Sequence, residues 1–302
     1  MSTVELDHIR KVYETKVAVE GLSLRIEPGT MFGLLGPNGS GKTSSIRMMI
    51  GITIPDSGSV KLFGKPFQRD SLQRVGYLPE ERGLYKKMKV LEQISFMGQL
   101  RGLSASEAEK RGRAWADRLQ ITEALPKRTE ELSKGMQQKI QFITALLHDP
   151  ELIIMDEPFS GLDPVNGALL QDTLLELRAA GKAILFSTHR MDQVERMCDN
   201  IALIHRGVVV LEGSMREIKS QYPQNRVEVV YEGSNQFLQN PAVESSKEYG
   251  GMVNIKLRGA HPDAQPLLAD AVAHGTRITR FEVKEPTLEE IFIERVGGSV
   301  DA

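Results

Sequence analysis

The 302-residue sequence predicts an α/β fold, with a helical segment inserted into its first part and a small α+β tail after it. Three observations carry this. Short apolar runs at 31–35, 152–155 and 183–187 have the length of buried parallel strands, and a helical stretch at 169–180 separates the last two. Residues 88–131 are rich in Leu, Ala, Arg and Glu without strand patterning, as a helical insertion is. Near Ser220 the composition shifts to Gln, Tyr, Pro and Asn, and strand-like alternation resumes at Val227, Val229 and Tyr231.

In chain order, alternation at Leu22, Leu24 and Ile26 ends at the Pro28-Gly29 turn, which leads into the run 31–35. A last strand-like stretch of the first part covers 201–211. In the tail, 252–257 and 278–283 alternate, and a helix is expected between Ala264 and His274. Thr287 and Glu290, after Pro286, have the spacing of a capping box. The expected division is residues 1–220, with the helical insertion at about 88–148, and residues 221–302. No repeat at a period of tens of residues occurs, so one copy of the core is present.

Hydrophobic residues make up 40% of the chain, enough for a core in each part. Lys and Arg total 38 against 40 Asp and Glu, so no global field holds nucleic acid or an anionic lipid surface. Nucleic acid is therefore not an expected partner, and membrane contact is expected only through another protein. Apolar runs such as 183–186 and 201–204 fall far short of the roughly 20 residues that cross a bilayer. The first ten residues alternate charged and apolar side chains without the apolar core of a secretion signal, which points to the cytoplasm. Cys198 is the only cysteine, which excludes an intramolecular disulfide and suits a buried, inert thiol.

Gly36-Pro37-Asn38-Gly39-Ser40-Gly41-Lys42-Thr43 follows one apolar run and precedes the helical 44–50, the setting of a phosphate-binding loop. In such a loop backbone N–H groups wrap phosphate oxygens, Lys42 reaches the terminal phosphates and the Thr43 hydroxyl ligates Mg²⁺. A Gly-rich turn with a solvated lysine is the plain alternative, and the complete motif with both flanks in place argues against it. Asp156 and Glu157 stand just beyond the run 152–155, at the strand end where a neighbouring loop would place nucleotide and metal. Asp156 then holds Mg²⁺, and Glu157 activates the water that attacks the γ-phosphate. His189 ends the run 183–187 through Thr188, so a parallel strand delivers it to the same edge to sense or stabilise that phosphate. His8, His148, His205, His261 and His274 are scattered without ligand spacing, so zinc chemistry is not expected.

Between these motifs, Leu132-Ser133-Lys134-Gly135-Met136-Gln137-Gln138 resembles the signature that separates ABC ATPases from other P-loop proteins, in the variant with Lys and Met at its middle. Ser133 is placed to cap a helix with Met136, Ile140, Ile143 and Leu147 on one face, so hydroxyl, N–H groups and helix dipole converge on phosphate. The resemblance implies ATP and Mg²⁺ as ligands. It also implies that Ser133 and Gly135 contact nucleotide held by a second ATP-binding subunit, identical or not, so that two cassettes enclose two ATP molecules. Tyr13 takes the place of the aromatic that stacks on adenine, and the segment 160–163, ending at Asp163, that of the loop linking the paired sites. Where the family usually has glutamine after the strand 75–78, this chain has Glu80. A carboxylate still ligates Mg²⁺, but it adds negative charge beside phosphates and cannot donate a hydrogen bond.

Glu80, the Lys-Gly-Met signature and the tail segment 285–292 together resemble the bacterial ABC-2 exporter branch, including sodium and drug-resistance exporters. The implied protein is an ATPase, peripheral on the inner face of the cell membrane, that couples ATP-driven pairing of cassettes to transport through separate transmembrane permease subunits. Non-transport relatives acting on ribosomes or DNA usually carry two cassettes or a long coiled coil. Here there is one cassette, no sustained heptad pattern, and a single basic cluster at Arg82, Lys86, Lys87 and Lys89. A small-molecule P-loop kinase has no reason to contain the Ser133 to Gln137 signature.

Overall fold

The chain starts with two long antiparallel strands, β1 (Val4–Tyr13) and β2 (Lys16–Ile26), and then enters the fully buried β3 (Met31–Leu35) and α1 (Lys42–Met49). Next come β4 (Ser57–Leu62), β5 (Lys65–Pro66) and β6 (Val75–Leu78), followed by three helices, α2 (Val90–Leu100), α3 (Ala105–Arg118) and α4 (Lys134–Leu146). β7 (Leu152–Asp156), α5 (Pro164–Ala179), β8 (Ala183–Thr188), α6 (Met191–Met197), β9 (Asn200–His205) and β10 (Val208–Ser214) complete the first part. These are elements of a computed structural model that describes residues 2–81, 83–259 and 262–297. Arg82 of the basic cluster and His261 lie outside the described residues.

Six strands form the central sheet in the order β10-β9-β3-β8-β7-β6, and all neighbours except β10 and β9 run parallel. Every residue of β3, β7 and β8 is buried, as strands covered on both faces are. Their carboxyl ends therefore deliver the loops that follow them to one edge of the sheet. A second sheet, antiparallel in the order β2-β1-β4-β5, shares its core with the first: Val4, Leu24 and Val60 belong to one cluster with Leu34, Ile46 and Leu185. This second sheet is absent from the sequence expectation, which saw only the end of β2.

The stretch 201–211 also differs from expectation. It is not one strand but the β9–β10 hairpin, turned at Arg206 and Gly207 with φ of 50° and 82°. Positive φ at both turn positions matches the right-handed twist of hairpin strands, and glycine takes the second at no steric cost. Gly33 in β3 marks a close approach, because a Cβ there would lie 2.8 Å from Val194 Cγ1 and 3.0 Å from Cys198 Sγ. The helix α6 thus packs directly on β3, with the Cys198 thiol buried and its pKa raised well above the ordinary value by that burial.

In the helical insertion, Ser104 caps α3 by accepting the Glu107 N–H at 3.2 Å. The buried Lys139 of α4 donates to the carbonyl of Leu119 at 2.8 Å, which ties α4 to the C-terminal end of α3. Burial lowers the pKa of that lysine.

The chain parts into two compact units between Ser214 and Met215, ahead of the compositional shift at Ser220. The second contains α7 (Met215–Ser220), β11 (Arg226–Glu232), β12 (Val243–Tyr249), β13 (Met252–Leu257), α8 (Gln265–Ala273), β14 (Arg277–Lys284) and α9 (Leu288–Gly297). Its strands form one antiparallel sheet, β12-β13-β11-β14, whose inner face of Val227, Val229, Val253 and Ile255 packs with Leu267 and Ala271 of α8. Thr287 and Glu290 make the expected reciprocal bonds: Glu290 N–H donates to Thr287 Oγ1 at 3.2 Å, and Thr287 N–H to Glu290 Oε2 at 3.0 Å. Among the described residues no helix is long and apolar enough to cross a membrane.

Leu185→Ala, at the buried centre of β8, is expected to lower the unfolding free energy by roughly 3 kcal/mol in urea titrations, and a loss under about 1 kcal/mol contradicts two-sided burial. Ellman's reagent is expected to label Cys198 of the native protein at least about tenfold more slowly than that of the denatured protein, because the thiolate is both shielded and disfavoured.

Candidate functional site

At the end of β3 the chain must turn sharply and stay close to its surroundings, which is why glycine recurs there. Gly36 has φ 150°, and a Cβ on it would sit 2.2 Å from Ile204 O and 2.5 Å from Ser40 Oγ. Gly41, at φ 116°, would place one 2.3 Å from Ala18 O. The hairpin turn braces the loop, since Gly207 N–H donates to Ser40 O at 2.9 Å. Gly41 is also the N-cap of α1 and offers no side-chain acceptor, so the first-turn N–H groups remain available to an anion. The hydroxyl of Ser40 is buried without a partner.

Lys42 is buried, and its Nζ donates to Gly36 O at 2.7 Å and Pro37 O at 3.1 Å, leaving a third proton for an anion. Burial lowers its pKa, and the charges of Glu157, Asp156 and Glu80 oppose that shift. A lysine held in this way gains from a phosphate, which restores the charge balance that burial disturbs.

The two carboxylates after β7 have separate partners. Asp156 is buried; Thr43 Oγ1 donates to its Oδ2 at 2.8 Å, and Ser187 Oγ donates to its Oδ1. Glu157 takes up the left-handed backbone region, at φ 50°, and its N–H donates to Ser187 O at 3.1 Å. This turns its side chain, only 12% exposed, towards β8: His189 N–H and His189 Nδ1 lie 3.1 Å and 2.9 Å from Oε1, and Thr188 Oγ1 lies 3.3 Å from Oε2. A carboxylate only accepts, so Nδ1 of His189 carries a proton. Burial and the charge of Asp156 push the nearby Tyr77 phenol up to about 12.

A cleft of about 440 Å³ brings together Tyr13, Asn38, Lys42, Thr43, Glu80 and the Asp156-Glu157 pair. Tyr13, 41% exposed, sits at the end of β1. Asp56 secures that end by accepting from Val12 N–H and Lys11 Nζ, both at 2.7 Å, and these bonds hold its carboxyl below the usual range. Thr43 and Asp156 supply two hard oxygens beside a phosphate cradle, a donor set that fits a small divalent cation such as Mg²⁺.

Ser133, Gly135 and Asp163 do not line this cleft. Ser133 is exposed and caps α4, accepting Met136 N–H at 3.2 Å. Gly135 lies against the next loop, where a Cβ would meet Leu162 Cδ2 at 3.5 Å. Asp163 caps α5 by accepting Asn166 N–H at 2.9 Å, and its bonds from Asn166 hold its carboxyl below the usual range. Sequence reasoning missed Ser187 and Thr188 as partners of the carboxylates, though two hydroxyls closing an apolar run are a visible signal. It also missed two glutamines that hold the segment after Glu80: Gln93 Oε1 accepts Tyr85 N–H at 2.7 Å, and Gln141 Nε2 donates to Glu81 O at 3.2 Å.

The ABC transporter family model matches residues 19–160, and that of the ATP-binding protein DrrA1-3-like C-terminal domain matches 213–296. Over 97% of this chain and 98% of the relative, the sequence is 44% identical to the ABC transporter ATP-binding protein YhaQ of Bacillus subtilis. It is 33% identical, over 97% of each chain, to the Nod factor export ATP-binding protein I of Cupriavidus metallidurans. The solved structure of an ATP binding subunit of an ABC transporter superposes with a TM-score of 0.68 at 30% identity, covering 73% of this chain and 93% of that one. The chain therefore belongs to the ATP-binding proteins of ABC transporters, a family of ATPases, and its DrrA-like tail agrees with the exporter branch.

Gly36→Ala is expected to weaken ATP binding at least about a hundredfold, because a side chain there collides with the Ile204 backbone carbonyl, which cannot turn aside as the Ser40 hydroxyl can. Equilibrium binding of a fluorescent ATP analogue checks this, and near-normal affinity contradicts the cradle.

Proposed function

We propose that this chain is the ATP-hydrolysing subunit of an exporter, in which two cassettes close around ATP and move separate permease subunits. The observation that carries the catalytic reading is the split between the adjacent carboxylates: Asp156 is tied to Thr43, Glu157 to His189. In this reading the loop 36–41 and Lys42 bind the phosphates, and Tyr13 stacks on the adenine. Thr43 and Asp156 hold Mg²⁺, with Glu80 contributing a further oxygen from the cleft wall. Mg²⁺ bound there would offset the negative charge of the phosphates.

Glu157 is the general base. Its Oε1 is committed to His189, while Oε2 has only the 3.3 Å contact from Thr188 and keeps lone-pair capacity for a water. His189 positions that base through Nδ1, which leaves Nε2 to face a phosphate oxygen. Ser133, Gly135 and Asp163 lie together off the cleft, with Ser133 exposed, which suits a face that completes the site of a second subunit.

Contact with the permease is assigned to a groove of about 390 Å³ lined by Leu84, Met97, Leu100, Arg101, Gln141 and Thr144. Leu100 is 61% exposed there, and Gln141 links the groove to the segment after Glu80. Export, rather than import, rests on the DrrA-like tail and on the name of the Nod factor relative.

Glu157→Gln is expected to cut Mg²⁺-dependent phosphate release at least about a hundredfold while ATP affinity stays within about threefold, and residual turnover above about a tenth contradicts the base assignment. Purification of the tagged subunit from detergent-solubilised membranes is expected to recover a polytopic membrane protein. Leu100→Asp is expected to reduce that recovery while the isolated subunit hydrolyses ATP within about twofold of the parent.

A further inference from the structure

We propose that Ser187 is a positioning residue that fixes which oxygen of Asp156 is presented to the metal. This rests on the reading of Asp156 as a Mg²⁺ ligand. The parallel register of β7 and β8 sets Asp156 opposite Ser187, with Ser187 buried inside the sheet and Asp156 buried at the wall of the cleft. The Ser187 hydroxyl donates to Asp156 Oδ1 and accepts the Glu157 N–H at 3.3 Å, so one small group touches both carboxylate residues. Neither polarity is ambiguous, because a carboxylate can only accept and an amide N–H can only donate.

Three consequences follow from that geometry. Oδ1 is occupied inside the sheet, so Oδ2, beside Thr43 Oγ1, is the oxygen left to face a cation. The carboxylate is held against rotation at both oxygens, so a cation meets a ligand already oriented. The backbone of Glu157 does not depend on the hydroxyl, since its N–H also reaches the Ser187 carbonyl at 3.1 Å. Removing the hydroxyl therefore disturbs the metal ligand and leaves the base and the P-loop in place.

The test separates metal from nucleotide and needs no turnover. In a Glu157→Gln background, affinity for trinitrophenyl-ATP is measured with EDTA and with saturating Mg²⁺, and Mn²⁺ uptake beside ATP is followed by electron paramagnetic resonance. Ser187→Ala is expected to shrink the Mg²⁺-dependent tightening about tenfold and weaken Mn²⁺ uptake in step, with the EDTA affinity within about twofold. Ser187→Cys, near serine in volume with a weak donor, is expected to fall between the two and covers an alanine variant that folds poorly. An unchanged tightening in Ser187→Ala, or an equal loss with and without Mg²⁺, overturns the proposal. Asp156→Asn distinguishes the failures. Tightening lost in Asp156→Asn but kept in Ser187→Ala rejects Ser187 alone, whereas tightening kept in Asp156→Asn rejects the metal assignment and Ser187 with it.

Discussion

The parallel pairing of β7 with β8 places Asp156 opposite Ser187, and the arrangement of the cleft follows from that register. Both strands are buried on both faces, so their side chains lock the alignment by packing, and a slip by one residue would send each to the wrong face. With the register held, Asp156 meets Thr43 from the P-loop helix, and Glu157 meets Thr188 at the end of β8 and His189 just beyond it. β3, between β8 and β9, carries the phosphate loop to the same edge. A hydrophobic sheet thus brings these polar groups within reach of one another, and their hydrogen bonds then fix the orientation of the side chains.

Local strain accompanies this arrangement. Glu157 is a non-glycine residue in the left-handed region, and Lys42 keeps an ammonium in a site whose burial disfavours it. Each feature opposes stability and favours function: the first turns the carboxylate towards His189, and the second leaves a cation that a phosphate stabilises. The covering structure makes both tolerable, because Ser187 and the loop carbonyls satisfy the polar groups concerned.

Much of the site was legible in the sequence because its chemistry sits in short contiguous runs. The phosphate loop needs glycine for reasons that act within eight residues, and an acidic pair after an apolar run marks a strand end wherever it occurs. The capping residues Ser133 and Thr287 were readable on the same local grounds. What escaped depends on distant pairing. Ser187 reaches Asp156 across 31 positions, and Asp56 reaches Lys11 across 45. The sheet built on β1 was hidden because its outer face is charged, so its pattern reads as solvated until β2 and β4 flank it. The β9–β10 turn was hidden because Arg-Gly lacks the Asn or Asp that usually signals such a hairpin.

We propose that the site formed around ATP at Lys42 in one cassette is completed by Ser133 of a second. Sedimentation of the Glu157→Gln protein with an equimolar supply of any co-purifying cassette measures this directly. Paired cassettes are expected with Mg²⁺ and ATP, single ones with ADP, and no pairing in Ser133→Arg although ATP still binds. Pairing that ignores the nucleotide, or that survives Ser133→Arg unchanged, would contradict it.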